Sequence, residues 1–215
     1  MQTDIELSEQ ILRIKEKFSK LKSLDKNLKT FGSRLHKFDL NEPLDLETIS
    51  AFEEKHQIKL PLEYSIFLQQ IGNGGAGPAY GLAKLENSLF ADMDYPKEEN
   101  LVNPALPFPH TEPQFMMTED EDEDEEFDED EIDEKWNEPQ HNYGVLRLCN
   151  LGCGIFTSLI VNGKEYGNMW IDDRSSEAGI YPYCKTNDFS ERSGFLDWYE
   201  TWLDQSTKML MPRKK

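Results

Sequence analysis

The residues of this chain best suited to chemistry lie in two glycine-rich turns, three cysteines and one long acidic run. The first turn is Gly72-Asn73-Gly74-Gly75-Ala76-Gly77-Pro78. Glycine turns expose backbone N–H groups that can cradle a phosphate. Dinucleotide and P-loop sites, however, run strand, glycine loop, helix, so that a helix N-terminus meets the anion. Here the turn follows a helical pattern, and the partial negative charge of a helix C-terminus repels anions. No Gly-Lys-Ser/Thr is present. The expectation is a tight helix-to-strand turn with positive φ at several positions.

The second turn, Asn150-Leu151-Gly152-Cys153-Gly154, offers Cys153 as a nucleophile, which would need a base and an orienting group. His36, His56, His110 and His141 stand at no tell-tale spacing to it; only His141 is close in sequence. A buried, small apolar cysteine is the expectation. Cys149 and Cys153 have three residues between them and no second pair, so neither a zinc knuckle nor a disulfide framework is expected. No catalytic residue, metal site or cofactor follows from these residues.

The acidic run is the strongest compositional signal. Fourteen of the sixteen residues 119–134 are Asp or Glu, interrupted by Phe127 and Ile132. The net charge of −19 becomes −5 once those fourteen charges are set aside, an ordinary value for one domain. The run lacks the glycine and ligand spacing of an EF-hand loop. It reads equally as a solvated loop or as a lure for a basic protein. Nucleic acid is disfavoured as a partner, since phosphate repulsion opposes counterion release. The acidic residues Glu119, Asp120, Glu121, Asp122, Glu123, Asp124, Glu125 and Glu126 are therefore candidates for contact with a basic protein.

The elements that must position these residues follow from periodicity. Residues 5–28 carry apolar side chains at steps of three and four, a helix that docks on its own domain or on a second helix. Asp45 is an N-cap for a helix over 46–56 burying Leu46, Ile49 and Phe52. Pro61 opens another over 61–71, with Leu62, Ile66, Phe67 and Ile71 inward and Tyr64 and Leu68 alongside. Strands are expected at 143–148, 154–161, 166–172 and 178–183, with a hairpin at Asn162-Gly163. Alternation sends Trp170 to one face and Met169 and Ile171 to the other, in the core or as an exposed anchor. Trp136, amid polar neighbours, is less explained by a core. Residues 193–209 form a last helix whose buried face is Phe195, Trp198, Tyr199, Trp202 and Leu203. Helices, then strands, then a helix indicate an α+β fold. The first ten residues show no signal peptide and no apolar run is long enough to span a bilayer, so a cytoplasmic protein is expected.

Taken in order, several segments resemble the SUKH (Smi/Knr-like) superfamily. They are Phe52-Glu53, Ile58-Lys59-Leu60-Pro61-Leu62-Glu63-Tyr64, Asn73-Gly74-Gly75, Gly77-Pro78-Ala79-Tyr80-Gly81-Leu82, Gly152-Cys153-Gly154, residues 159–163 and Gly167-Asn168-Met169-Trp170. The resemblance covers roughly residues 40–205 and implies helices packed on a mostly antiparallel sheet. It implies a non-catalytic protein-binding module, in bacteria commonly an immunity protein against a polymorphic toxin, in fungi a regulatory hub. Pro61, Asn73, Gly74, Gly75, Gly77, Gly81, Gly152 and Gly154 are then fold-defining. Tyr64, Tyr80, Trp136, Trp170, Asp172 and Asp173 are candidates for partner contact. The expected organisation is a helical extension over 1–38, one domain over 39–209 interrupted by the insert at 119–134, and a basic tail over 210–215. The expected partner is a basic toxin domain; the alternative is a scaffold that recruits basic partners through the insert.

Overall fold

The computed structural model describes residues 4–116, 136–186 and 188–211. The acidic run at 119–134 and the last four residues lie outside the described residues.

Helix α1 (Asp4–Leu24) carries Leu7, Ile11, Ile14 and Leu21 on one buried stripe. It stops four residues earlier than the periodicity suggests. Asp25 ends it, accepting the backbone N–H of Lys29 (2.7 Å) and Thr30 (2.8 Å) in a turn that sets Leu28 at φ 51°. A single turn, α2 (Ser33–His36), follows. Asp45 caps α3 (Leu46–His56), accepting the Thr48 N–H at 2.7 Å as expected. Ile49 is buried and Phe52 half-buried, whereas Leu46, in the uncovered first turn, is exposed. In α4 (Leu62–Gln70), Tyr64, Phe67 and Leu68 form the buried stripe that Ile71 completes. Leu62 is exposed, because two residues of helix before Tyr64 place it about 200° around the axis. Pro61 stands at the N-cap rather than inside the helix.

Helix α5 (Phe195–Leu210) buries the five residues its periodicity selects. Phe67 meets Phe195 and Tyr199 edge-on, each with ring centroids 4.9 Å apart, and Tyr64 meets Phe195 at 4.8 Å. The Tyr199 hydroxyl donates to the Ala76 carbonyl (2.9 Å), tying α5 to the glycine turn. That turn has no phosphate cradle. The N–H groups of Gly72, Asn73, Gly75 and Ala76 already donate to backbone carbonyls, and Gly74 and Gly75 take positive φ.

The sheet comprises β1 (Gln114–Phe115), β2 (Val145–Gly152), β3 (Ile155–Ile160), β4 (Met169–Asp173) and β5 (Gly179–Pro182). Their order is β1-β5-β4-β3-β2 and every pair is antiparallel. The fold is α+β. Strand alternation divides the core in two. Leu146, Leu148, Leu159 and Met169 join the helices in one cluster. Val145, Ile160, Trp170 and Ile180 join Phe108, Val102 and Trp136 in a second cluster, built on the other face from loops.

The strands flanking Asn162-Gly163 pair antiparallel as expected, but the two-residue turn expected there is absent. Residues 161–168 connect β3 to β4 by a longer path. Asn162 and Gly163 instead meet the segment 103–113, which holds four prolines: Phe108 N–H donates to the Asn162 carbonyl (3.0 Å), and Asn162 Nδ2 donates to the Ala105 carbonyl (2.7 Å). The two-residue hairpin lies one connection earlier, at Cys153-Gly154, between the register partners Gly152 and Ile155. Both turn residues have positive φ (55° and 76°), the mark of a type I′ turn. Cys153 is therefore exposed, not buried as expected; the buried cysteine is Cys149. A left-handed cysteine is strained and asparagine tolerates the region better. Cys153→Asn should raise stability by up to about 1 kcal/mol, read as a higher urea midpoint; a lower midpoint would show that the thiol is needed for packing.

Candidate partner-binding surface

The residues selected from the sequence separate sharply by burial. Tyr64 and Trp170 are 2% and 1% exposed, one between α4 and α5 and the other in the loop-side core against Phe108. Neither can anchor a partner in this conformation. Trp136 is also buried, stacked on His141 at 5.5 Å, so a core does explain it. Tyr80 is the exception, at 43% exposed. The eight acidic candidates at 119–126 lie outside the described residues.

Asp172 is buried beneath two arginines. Asp172 Oδ2 accepts from Arg147 Nη2, and Arg174 binds both carboxylate oxygens through Nε (2.8 Å) and Nη2 (2.7 Å). Arg147 and Asp172 are both loop-side positions, and the intervening strand contributes Ser158, which accepts from Arg147 Nη1 at 2.8 Å. Burial alone would push the Asp172 carboxyl up. The opposing charge of Arg147 and the hydrogen bonds and charge of Arg174 prevail and hold it well below the usual carboxylate range. Asp173, on the opposite face, accepts from the Tyr181 hydroxyl (3.0 Å). The network was missed in the sequence, although a lone arginine in the apolar run Val145-Leu146-Arg147-Leu148-Cys149 is a signal for a paired buried charge.

The exposed surface gathers at the end of the β2–β3 hairpin. The rings of Tyr80 and Phe31 lie 5.3 Å apart, and Phe31 is 60% exposed. Leu35, four residues on from Phe31, is exposed as well. Gly152 lets Tyr80 approach: a Cβ there would sit 3.1 Å from Tyr80 Cε2, at a φ of 103°. Asn150 and Gly154 hold Asp94, whose carboxylate accepts from Asn150 Nδ2 (2.5 Å) and from the Gly154 N–H (3.0 Å). Asp92, Asp94, Tyr95, Cys153 and Gly154 line an open depression of about 450 Å³ beside them, with Tyr95 strongly exposed. Exposed aromatic side chains with two carboxylates nearby suit a protein contact: the rings supply buried area and the acids supply complementarity to a basic face. Phe31 and Leu35 carried no sequence signal of exposure.

The profile of the SMI1 / KNR4 family (SUKH-1) matches residues 43–205, more than half of the chain. The chain belongs to this family. A search of curated proteins and a search of solved structures each found no match. The SUKH-1 match starts at residue 43, beyond α1 and α2, so Phe31 and Leu35 are contributed from outside the matched region while Tyr80, Asp94 and Tyr95 lie within it. The SUKH family includes immunity proteins and is generally non-catalytic, and its members point to protein–protein interaction. No helix among the described residues of this SUKH-1 protein is long and apolar enough to cross a membrane.

Burial pushes the Cys149 thiol far above its ordinary range, and it donates to the Pro78 carbonyl at 3.1 Å. His141 pairs with His110, Nδ1 to Nε2 at 3.0 Å, in the loop-side core; burial, then the neighbouring His141, lower His110 to about 4. Cys153 lies in the depression with Asp92, Asp94 and Tyr95, and among the described residues no histidine lines it. No group of three or more His, Cys, Asp or Glu is placed to hold a metal ion among the described residues.

Proposed function

We propose that this protein is an immunity protein: it docks on a basic toxin domain and occludes that domain's active site without catalysis. The exposed Phe31–Tyr80 pair beside Asp94 and Tyr95 is the observation that carries this reading. Family membership supports it, and so does a net charge of −19, which speeds encounter with a basic face. The rings act as anchors and the carboxylates set register and on-rate.

Co-expression with candidate basic toxin domains is the direct test. Rescue of growth is expected, and the Phe31→Ala/Tyr80→Ala pair should weaken the complex by about thirty-fold or more, the loss typical of hot-spot residues. No rescue, together with no complex at low salt, would reject the proposal. The acidic run favours a second reading, a scaffold that recruits basic partners through residues 119–134. Replacing the run with a neutral linker separates the two. A scaffold loses most of its binding, whereas an immunity protein keeps a specific contact through Tyr80 and Phe31.

A further inference from the structure

We propose that His36 is an acid-sensitive pin that holds the Phe31–Tyr80 surface in shape. The neutral ring fastens the end of α2, and protonation releases it. What release does to binding rests on the protein-docking reading of this surface; the release itself is a property of the free chain. Helix α2 is only four residues long, so little chain separates His36 at its end from Phe31 before its start. Gly32, the N-cap, presses against Ala79: a Cβ there would sit 1.4 Å from the Ala79 carbonyl oxygen. Phe31 and Tyr80 are the next residues outward from that contact, and their rings meet. At the other end of α2, His36 Cβ lies 3.5 Å from where a Cβ on Gly81 would stand. Both ends of α2 are thus seated on residues 79–81, with the exposed pair beside them.

One hydrogen bond makes His36 sensitive to acid. Its Nδ1 accepts the backbone N–H of Phe38 at 3.0 Å. A ring nitrogen that accepts carries no proton, so the imidazole is neutral and its proton sits on Nε2. Nε2 is itself buried, with no hydrogen-bond partner among the described residues. A second proton would enter on Nδ1 and meet the Phe38 N–H, donor against donor. The bond braces a turn that L-residues rarely adopt, because Lys37 and Phe38 are both left-handed (φ 49° and 56°). Phe38 is buried, edges the His36 ring at 5.2 Å, and accepts from Lys22 of α1 through its carbonyl (2.8 Å). Losing the His36 acceptor therefore loosens the end of α2 where it joins the core.

The surrounding charges do not reverse this preference. Asp39 and Asp25 are the acids acting on His36. Asp25 is engaged by the N–H groups of Lys29 and Thr30, and Asp39 pairs with Lys22 at 3.3 Å. Arg34 and Lys37, on α2 and at its end, are exposed, and α5 meets the ring with the uncharged Trp202. Burial lowers the His36 pKa, and the charges of Asp39 and then Asp25 oppose it without prevailing. The unfolded value is about 6.5, so the contribution of neutral His36 to stability is complete above that pH. It is lost progressively as the pH falls below, where the unfolded chain takes up the proton first.

Nuclear magnetic resonance of the full-length chain tests the coupling without a partner, with the pH lowered from about 7.5 to about 5, the range in which histidine changes charge. The His36 ring should titrate with a midpoint below about 6.5. The amide signals of Phe38 and Leu35 and the ring signals of Phe31 and Tyr80 should shift with that same midpoint. His36→Asn places an amide oxygen near the position of Nδ1, able to accept the Phe38 N–H but unable to titrate. In that variant the Phe31 and Tyr80 shifts should disappear, and the urea midpoint should fall less on acidification than in the parent. The parent titration decides alone if Phe31 and Tyr80 fail to follow His36, or if His36 titrates at or above 6.5; either result overturns the proposal. Shifts that persist unchanged in His36→Asn overturn it as well, since another group would then drive them. Absence of a toxin complex would reject the docking reading and leave these signals as they are.

Discussion

Asp172→Ala should destabilise the protein by about 3–5 kcal/mol, the range for removing one partner of a buried ion pair. The substitution leaves Arg147, with its side chain only 2% exposed, and the Arg174 guanidinium facing each other with no carboxylate between them. Most of the cost is the desolvated charge left behind, not the attraction lost. Urea unfolding followed by tryptophan fluorescence measures it, and a loss under about 1 kcal/mol would show that water reaches Arg147. Replacing both Arg147 and Asp172 by apolar residues of similar size should recover much of the loss, since no buried charge then remains on the strands.

The same carboxylate sets an acid limb. Its folded pKa lies below the unfolded value of about 3.9, so its stabilisation is complete above roughly pH 5 and is lost progressively as the pH falls below about 4. Below that point the unfolded state binds the extra proton, and stability falls with pH. Asp172→Asn should therefore flatten the slope of stability against pH in this window, in addition to lowering stability at neutral pH.

Ile14→Ala is expected to cost about 2–5 kcal/mol, the range for a large apolar residue truncated in a core that cannot collapse fully. Ile14 is fully buried, in one cluster with Leu196, Tyr199 and Leu203 of α5. Helix α1 precedes the region matched by the family, yet it shares that region's principal core. Its polar edge is matched too. Arg13 and Lys17 pair with Glu200 (3.1 and 2.9 Å), and Gln10 donates to the same carboxylate at 3.2 Å. Burial works against the Glu200 charge, but these hydrogen bonds prevail and hold the carboxyl below its usual range. Removing residues 1–28 would expose the α5 stripe and strip Glu200 of its partners, so the remaining chain should show a lower, broader thermal transition. A midpoint for Ile14→Ala within about 0.5 kcal/mol of the parent would mean that α1 is a dispensable attachment.

Local signals explain what was legible beforehand. The Asp45 cap, the five-residue stripe from Phe195 to Leu203 and the glycine turn after α4 each depend on contacts within a few residues, which a linear pattern records. The misplaced two-residue turn has a different origin. Asn-Gly and Cys-Gly can each enter a type I′ turn, and strand pairing together with the Phe108 segment decided which one does. The ionic network joins residues 25 apart through register, and the Phe31–Tyr80 contact links two loops; neither has a periodicity to read.

Sequence alone was thus sufficient for the α+β class, the Asp45 cap and the family, because propensity, periodicity and an ordered set of motifs do not require knowing what meets what. Tertiary structure decided which aromatic residues face solvent. Tyr64 and Tyr80 have the same side chain and were candidates for the same role, but one closes the α4–α5 core and the other stands over Gly152 at the surface. Exposure belongs to the packed whole: a side chain is buried only when other elements come to cover it, and that is settled by contacts far apart along the chain.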